Sequence, residues 1–139
     1  MTQADDLTDA MPQAVRAAFD AMPAALRPCF ADLRARILRV AAETARIGPI
    51  KESLKWGEPA YRPLSGAGST VRLALPKVAP DRCGVYFVCS TGLVDEFRAR
   101  FPDLVCEGNS IVLIDPDAPV PDALDICLHR ALSYHLKTS

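Results

Sequence analysis

Several features that mark common protein classes are scarce or missing in this chain of 139 residues. No apolar run approaches the roughly 20 residues of a membrane-spanning helix. The net charge is −1, whereas nucleic-acid-binding domains are typically basic. The two histidines, His129 and His135, are not four residues apart, so they cannot form the i, i+4 pair of a metalloprotease helix. These absences exclude the best-marked membrane, nucleic-acid and zinc-protease classes.

Cysteine pairs are also missing, although cysteine itself is present. None of the five cysteines forms a Cys-x-x-Cys motif, which disfavours zinc-knuckle and thioredoxin-type sites. Their wide spacing among apolar neighbours predicts reduced thiols that behave as small core residues, and a redox or ligand role is the alternative. The five are Cys29, Cys83, Cys89, Cys106 and Cys127.

The N-terminus differs from a secretion signal. Residues 1–10 contain Asp5, Asp6 and Asp9 and no basic residue, whereas a signal peptide begins with positive charge. We therefore expect a cytoplasmic protein whose partner is a small molecule or another protein, with neither nucleic acid nor membrane as partner. It is expected to be a monomer or a homodimer, and no residue indicates a subunit interface.

The length and composition predict one globular domain. A chain of this size buries roughly two-thirds of its unfolded surface, so it needs no disulfide or metal to fold. Half of its residues are hydrophobic and 24% are charged, which is typical of a globular protein. We expect a poorly ordered tail at residues 1–11 and a single domain at residues 12–139.

Apolar residues at helical spacing, together with capping residues, predict five helices. On the last of them, Tyr134 and His135 are expected on the inner face. His135 is then either a core histidine bonded to the backbone or a ligand or acid–base group. The predicted helices are Pro12–Met22, Pro28–Arg46, Pro49–Lys55, Gly92–Phe101 and Pro121–Lys137.

Alternating and continuous apolar segments predict a sheet in the middle and late parts of the chain. Gly108-Asn109 between two of these segments is typical of a hairpin turn. The predicted strands are Ser69–Leu75, Cys83–Cys89, Leu104–Glu107 and Ser110–Ile114. The fold class is therefore α+β, a single compact domain with a mainly antiparallel sheet of about four or five strands and the N- and C-terminal helices packed on it.

The segment Lys55-Trp56-Gly57-Glu58-Pro59-Ala60-Tyr61 contains the only tryptophan. It is expected to form a turn, and two interpretations are open. Trp56 either covers the sheet edge as a structural corner, or lines a site in which aromatic rings form walls and cationic side chains bind an anion. The candidate ligand-binding residues are Lys55, Trp56, Glu58, Tyr61, Thr70 and Arg72.

Other candidate motifs are less specific. Residues 65–69 are rich in glycine but lack the lysine of a phosphate loop, so they predict a flexible turn, or else a nest of amides for an anion. The aspartates at 115, 117, 122 and 125 lack the pattern of a calcium loop and suit Asx turns and a helix N-terminus. No catalytic or metal-binding residue set is evident, which disfavours an enzyme.

Five segments of the chain together match a known family pattern. They are Glu52–Tyr61, Gly68–Leu73, Tyr86–Cys89, Glu107–Asn109 and Ala131–His135. In these segments the chain resembles the YdhG-like family of bacterial domains of unknown function. The resemblance implies a compact domain, and some members have been described as frataxin-like iron chaperones. Iron is thus a possible ligand by this resemblance alone, since no other cofactor is indicated.

The chain departs from a frataxin-like pattern in its first long helix. Frataxins bind iron through acidic helices, whereas this helix has four arginines between Arg34 and Arg46 against Asp32 and Glu43. The prediction is therefore a non-enzymatic module that binds a small ligand or peptide at the Lys55–Tyr61 turn. The alternative is a frataxin-like iron or metal chaperone.

Overall fold

The computed structural model describes residues 11–136 and confirms the α+β class. Four α-helices accompany one antiparallel sheet whose strand order is β1-β2-β3-β4-β6-β5. The helices are α1 (Gln13–Asp20), α2 (Arg27–Ala42), α3 (Leu93–Arg100) and α4 (Ala123–Leu132), and the strands are β1 (Ile50–Lys55), β2 (Glu58–Pro63), β3 (Val71–Ala74), β4 (Cys83–Phe87), β5 (Val105–Glu107) and β6 (Ile111–Ile114). The tail expected at residues 1–11 lies, apart from Met11, outside the described residues.

The prediction of a third helix at Pro49–Lys55 is wrong. Residues Ile50–Lys55 form β1, which pairs in register with β2 from Ile50↔Pro63 to Lys55↔Glu58. Lys, Glu and Leu favour a helix locally, but β1 pairs with β2 along its whole length, which gives the segment inter-strand hydrogen bonds on one side while its other side is the sheet edge. Strands β1 and β2 therefore raise the strand count to six, above the expected four or five.

Helix α2 ends at Ala42, four residues before the predicted end at Arg46. The hydroxyl of Thr44 donates a hydrogen bond to the carbonyl of Val40 at 3.0 Å, and such bonds compete with the helical backbone pattern. A turn follows, and it places Ile47 in the core. Gly48 then adopts φ +73°, a conformation that favours glycine.

Helix α4 is shorter than predicted, since it ends at Leu132. The backbone N–H of His135 donates to the carbonyl of Ala67 at 2.9 Å, and its side chain is exposed. The expected core position of His135 is therefore wrong. Tyr134 is half-buried outside the helix, and its hydroxyl donates to the carbonyl of Thr91 at 3.3 Å.

The core lies between the helices and one face of the sheet. Alternation along each strand selects this face, because successive side chains point to opposite sides. Burial of these apolar groups is the main stabilising contribution, at roughly 25 cal/mol per Å². The largest fully buried side chains of the core include Phe30, Leu33, Ile37, Tyr61, Leu73, Phe97, Leu124 and Leu128.

Ion pairs join the two long helices at the surface. Asp125 of α4 accepts from Arg36 at 3.2 Å and from Arg39 at 2.7 Å, both on α2. Two of the arginines on α2, where a frataxin-like pattern would have acidic residues, therefore bind α4.

Asp115 accepts from the backbone N–H of Asp117 at 2.9 Å, as expected of an Asx turn. None of the described helices is long and apolar enough to cross a lipid bilayer.

A buried polar network joins α2 to the β1–β2 hairpin. Arg34 donates to both carboxylate oxygens of Glu52, at 2.6 and 2.9 Å. The hydroxyl of Tyr61 donates to the same carboxylate at 2.7 Å. Burial, reinforced by the charge of Glu52, raises the pKa of Tyr61 well above its ordinary value, so this phenol remains a donor at neutral pH.

The segment between β2 and β3 packs directly on the end of α4. The N–H of Ser69 donates to the carbonyl of Ala131 at 2.8 Å. The N–H groups of Gly66 and Ala67 also have partners within the protein. Three of the five amides in residues 65–69 are therefore already used within the protein. A Cβ on Gly68 would lie 2.1 Å from the carbonyl carbon and oxygen of Leu132, so only glycine fits there.

We predict that Glu52→Gln lowers the free energy of unfolding by about 3 kcal/mol, because Arg34 keeps its buried charge and loses its carboxylate partner. Tyr61→Phe removes one hydrogen bond and costs about 1 kcal/mol. Urea denaturation of both variants and the wild type measures the two losses. Equal stability of Glu52→Gln and wild type would show that the network contributes nothing.

We predict that Gly68→Ala destabilises the fold by about 3 kcal/mol or more, because backbone atoms of α4 occupy the required space. Gly66→Ala is the matched control, since Gly66 has φ +81° and open space around its Cα. Its cost is the left-handed conformation alone, roughly 1–2 kcal/mol. Thermal denaturation compares them, and a smaller loss for Gly68→Ala than for Gly66→Ala contradicts the close contact.

Candidate functional site

The second face of the sheet carries the polar side chains that the sequence singled out. On β3, Val71 and Leu73 are buried in the core, so Arg72 between them points to this second face. Arg72 is directly opposite Tyr86 of β4. The two side chains therefore lie next to each other on adjacent strands.

Trp56 and Gly57 form the two-residue turn that connects β1 to β2. Both have positive φ, +53° for Trp56 and +78° for Gly57, which is the geometry of a hairpin turn whose twist matches the strands. Trp56 is the only non-glycine residue with positive φ within residues 11–136. Such a conformation is rare for a bulky residue and often marks a functional position.

The ring of Trp56 is 86% exposed. It does not cover the sheet edge, so the structural-corner interpretation is wrong. The Trp56 side chain contributes little to the hydrophobic core, because most of its surface remains in contact with water. Its position at the end of the second face leaves it available to contact a ligand.

Arg72 holds this end of the sheet together. The central carbon of its guanidinium lies over the rings of Trp56 and Tyr86, 4.9 Å from each ring centre. One guanidinium N–H also donates to Glu58, the residue after the turn. A cation against an aromatic face is favourable by about 0.5–1 kcal/mol when exposed. These contacts orient Arg72 while leaving further N–H donors for other groups.

A cleft of about 350 Å³ lies over these residues. This volume is at the lower end of the range for small-molecule sites. The β1–β2 turn forms one wall, β3 and β4 form the floor, and the β5–β6 turn forms the opposite wall. Its lining includes Lys55, Trp56, Thr70, Arg72, Tyr86, Val88, Cys89, Asn109 and Ser110.

Gly84 allows Tyr86 to lie along its strand. A Cβ on Gly84 would be 2.7 Å from a ring carbon of Tyr86 and 2.7 Å from the carbonyl oxygen of Ala74. Burial, followed by the nearby charge of Glu58, raises the pKa of Tyr86. Its hydroxyl therefore stays protonated at neutral pH and can donate a hydrogen bond.

The six candidate residues do not all reach the cleft. Lys55, Trp56, Thr70 and Arg72 line it together, and Glu58 acts there through its ion pair with Arg72. Tyr61 is fully buried on the core face, where it binds Glu52. Its predicted role as a wall of the site is wrong because the hairpin places alternate residues on opposite faces.

Sequence reasoning missed the lining residues that come from the end of β4 and from the β5–β6 turn, which are Tyr86, Phe87, Val88, Cys89, Asn109 and Ser110. Tyr86 is opposite Arg72 in the register of β3 and β4. Alternation on β4 could have placed Tyr86 on the polar face, since Val85 and Phe87 are its apolar neighbours. The approach of the β5–β6 turn depends on the strand order and has no local signal.

A larger cleft of about 570 Å³ lies at the end of α4. Its three hydroxyl groups already donate to backbone carbonyls, since Thr44 binds Val40, Ser133 binds His129 and Tyr134 binds Thr91. The end of a helix that carries negative partial charge also disfavours an anion. The lining of this larger cleft also includes Arg46, His129 and Arg130, and Arg130 is engaged by Glu96. What distinguishes the smaller cleft is the exposed Trp56 beside Arg72.

The cysteines differ in exposure and acidity. Cys83 and Cys127 are buried, Cys29 and Cys106 are intermediate, and Cys89 is exposed at the rim of the cleft. Burial raises the pKa of Cys127 to about 12, so this thiol stays protonated at neutral pH. The expectation of core thiols therefore describes Cys83 and Cys127 and fails for Cys89.

We predict that Trp56 emits like an indole in water and is strongly quenched by acrylamide. The reason is its exposure on the turn, and it is the single tryptophan of the chain, so the whole signal comes from it. Steady-state fluorescence of the native protein is the measurement, with the urea-unfolded protein as reference. A blue-shifted and poorly quenched emission would place the ring in an apolar environment and contradict this geometry.

Comparison with known proteins leaves the resemblance to the YdhG-like family as a prediction. No protein-family model, curated protein or solved structure matches the chain. Within residues 11–136, no group of three or more His, Cys, Asp or Glu side chains could hold a metal ion. The functional proposal therefore depends on the geometry of the cleft.

Proposed function

We propose that this protein is a binding module for a small molecule that combines a planar apolar group with a negative charge. The observation that carries the proposal is the cleft in which an exposed Trp56 ring lies beside Arg72 and Lys55. A short peptide whose C-terminal residue is aromatic also combines a planar ring with a negative charge, which its terminal carboxylate provides. This proposal keeps the predicted binding role and moves its centre from the turn alone to the cleft.

The charges of the cleft favour an anion. Lys55 has no ion pair within 4.0 Å among the described side chains, so its ammonium group is available. Arg72 binds Glu58 through one of its N–H groups, and a guanidinium has five N–H donors in a planar fork. Two cations against one carboxylate leave an excess of one positive charge. A carboxylate or phosphate group can therefore bind both cationic side chains.

The aromatic rings favour a planar group on the same ligand. Trp56 is 86% exposed and is held on a two-residue turn, so little conformational entropy is lost when a ligand stacks on it. Tyr86 adds a second ring and a protonated hydroxyl. Thr70, Asn109 and Ser110 provide further polar atoms at the edges. The arrangement resembles small-molecule sites, in which apolar walls surround a few polar groups.

The same lining favours binding over catalysis by the commonest acid–base groups. The residues around the cleft include no histidine, and its one nearby carboxylate, Glu58, is engaged by Arg72. The lining groups that can exchange a proton are Lys55, Tyr86 and Cys89, and burial raises the pKa of Tyr86 away from neutral pH. The frataxin-like alternative stays a prediction of the resemblance, because no donor cluster within the described part of the chain supports it.

We predict that benzoate and phenyl phosphate change the emission of Trp56 and shift the amide signals of Thr70, Arg72 and Ser110. Arg72→Gln should weaken their binding by roughly ten- to a hundredfold, the loss expected for a charge-assisted hydrogen bond. Fluorescence titration and ¹H–¹⁵N NMR spectra measure both effects. Acetate and benzylamine are the ligand controls, because each lacks one of the two required features.

Two variants sharpen this experiment. Arg62→Gln removes an arginine from β2 that does not line the cleft, so its affinity should equal that of wild type. Glu58→Gln removes the carboxylate that competes for Arg72 and should raise affinity roughly two- to fivefold. If neither aromatic anion produces a change at millimolar concentration, or if Arg62→Gln weakens binding as much as Arg72→Gln, the proposal is overturned.

A further inference from the structure

Two cysteines that are far apart in sequence meet beside the first turn of α2. Cys29 lies in that turn, and Cys83 begins β4. The sulfur of Cys83 is 3.8 Å from the carbonyl oxygen of Leu26, which is three residues before Cys29. Cys29 packs against the core cluster that includes Cys83. The sulfur of Cys83 therefore lies against the turn that carries Cys29.

The two thiols differ in access to solvent. Cys83 is fully buried, whereas Cys29 is partly exposed at the edge of the core. A reagent in water can therefore reach Cys29 first. Cys83, which is shielded from solvent, is the second thiol of the pair. This combination of one accessible and one shielded sulfur is typical of oxidisable dithiols.

The surroundings make Cys29 the more acidic thiol. The hydrogen bond from Cys83 is the main cause that lowers the pKa of Cys29, with a contribution from Arg36, and burial, Asp32 and Asp115 oppose it. The bond to Cys29 and burial raise the pKa of Cys83 well above its ordinary value. The first turn of a helix also stabilises a thiolate. Cys29 is therefore the nucleophile of the pair.

We propose that Cys29 and Cys83 are a modification site that a hydroperoxide oxidises to a disulfide between α2 and β4. The Cys29 thiolate attacks the terminal peroxide oxygen and the O–O bond breaks. The leaving oxygen takes up a proton as an alcohol, or as water when hydrogen peroxide reacts, and Cys29 becomes a sulfenic acid. The sulfur of Cys83 then attacks that of Cys29, and the hydroxyl leaves as water with the Cys83 proton.

The reaction is balanced without another reagent. Two thiols and one hydroperoxide give one disulfide, one alcohol and one water, and the two electrons lost by sulfur reduce the peroxide. The other cysteines lack this arrangement. Cys89 is exposed, Cys106 is intermediate and Cys127 is buried, and no hydrogen bond joins any two of these three thiols among the described residues. Oxidation is therefore directed to one pair.

The disulfide would join two elements that are separated by the whole β1–β3 region. Such a bond restricts the unfolded chain more than the folded one, and the effect grows with the length of the closed loop. The oxidised protein should therefore resist denaturant better than the reduced protein. The site is independent of the ligand cleft, because Cys83 begins β4 and Tyr86, Val88 and Cys89 lie towards its other end.

The experiment is stoichiometric oxidation of the reduced, folded, full-length protein with hydrogen peroxide. The expected result is an intact mass lower by two hydrogen atoms and a tryptic peptide that contains Cys29 linked to one that contains Cys83. Cys83 and Cys89 share a tryptic fragment, since no Lys or Arg separates them. Cys89→Ser is therefore the control variant, and it must still form the link.

Two further variants test the order of the steps. Cys83→Ala should stop at a sulfenic acid on Cys29, trapped by dimedone, whereas Cys29→Ser should lose the link. Circular dichroism checks that both fold, and the wild-type peptide map decides the matter if one does not. The proposal is overturned if the wild type gives another pairing, sulfinic acid at Cys29 without a link, or a link only in urea.

Discussion

The carboxylate of Glu52 is the group on which much of the rest of the structure depends. Arg34 of α2 and Tyr61 of β2 both bind it in a largely buried environment, so it joins the long helix to both strands of the first hairpin. Removing water from these charges is unfavourable by itself, and the short hydrogen bonds offset that loss. The network fixes the hairpin relative to the helical layer and thereby fixes the position of its turn.

The hairpin in turn explains why the candidate site lies on the second face of the sheet. Glu52 and Tyr61 point to the core, so the neighbouring positions of β1 and β2 point away from it. The same alternation sends Val71 and Leu73 inward and Arg72 outward. Arg72 then contacts the turn through Trp56 and Glu58, and contacts the next strand through Tyr86. The site is assembled from the β1–β2 turn, β3, β4 and the β5–β6 turn, and the core network fixes the hairpin that carries the first of these.

Sequence reasoning found the elements whose signal is local. The apolar stripe of α2, the alternation of β3 and the Gly108-Asn109 hairpin are present near the predicted positions. Strands β1 and β2 were missed, because the segment around Glu52 has helical propensity and its strand form depends on pairing with a partner. Tyr61 was misplaced for the same reason. With Pro49–Lys55 predicted as a helix, Tyr61 has no partner strand whose alternation would assign it to the core.

Gly84 shows how an absent side chain can set the depth of a site. Tyr86 lies over Gly84, where no Cβ would fit, and Arg72 rests against Tyr86 in turn. A methyl group at position 84 would press on the Tyr86 ring and on the Ala74 carbonyl, and it would displace the ring on which the guanidinium rests without altering any charge. The space that a guest could occupy would become shallower while its electrostatic attraction stayed the same. Shape and charge are therefore controlled by different residues, and either property can change without the other.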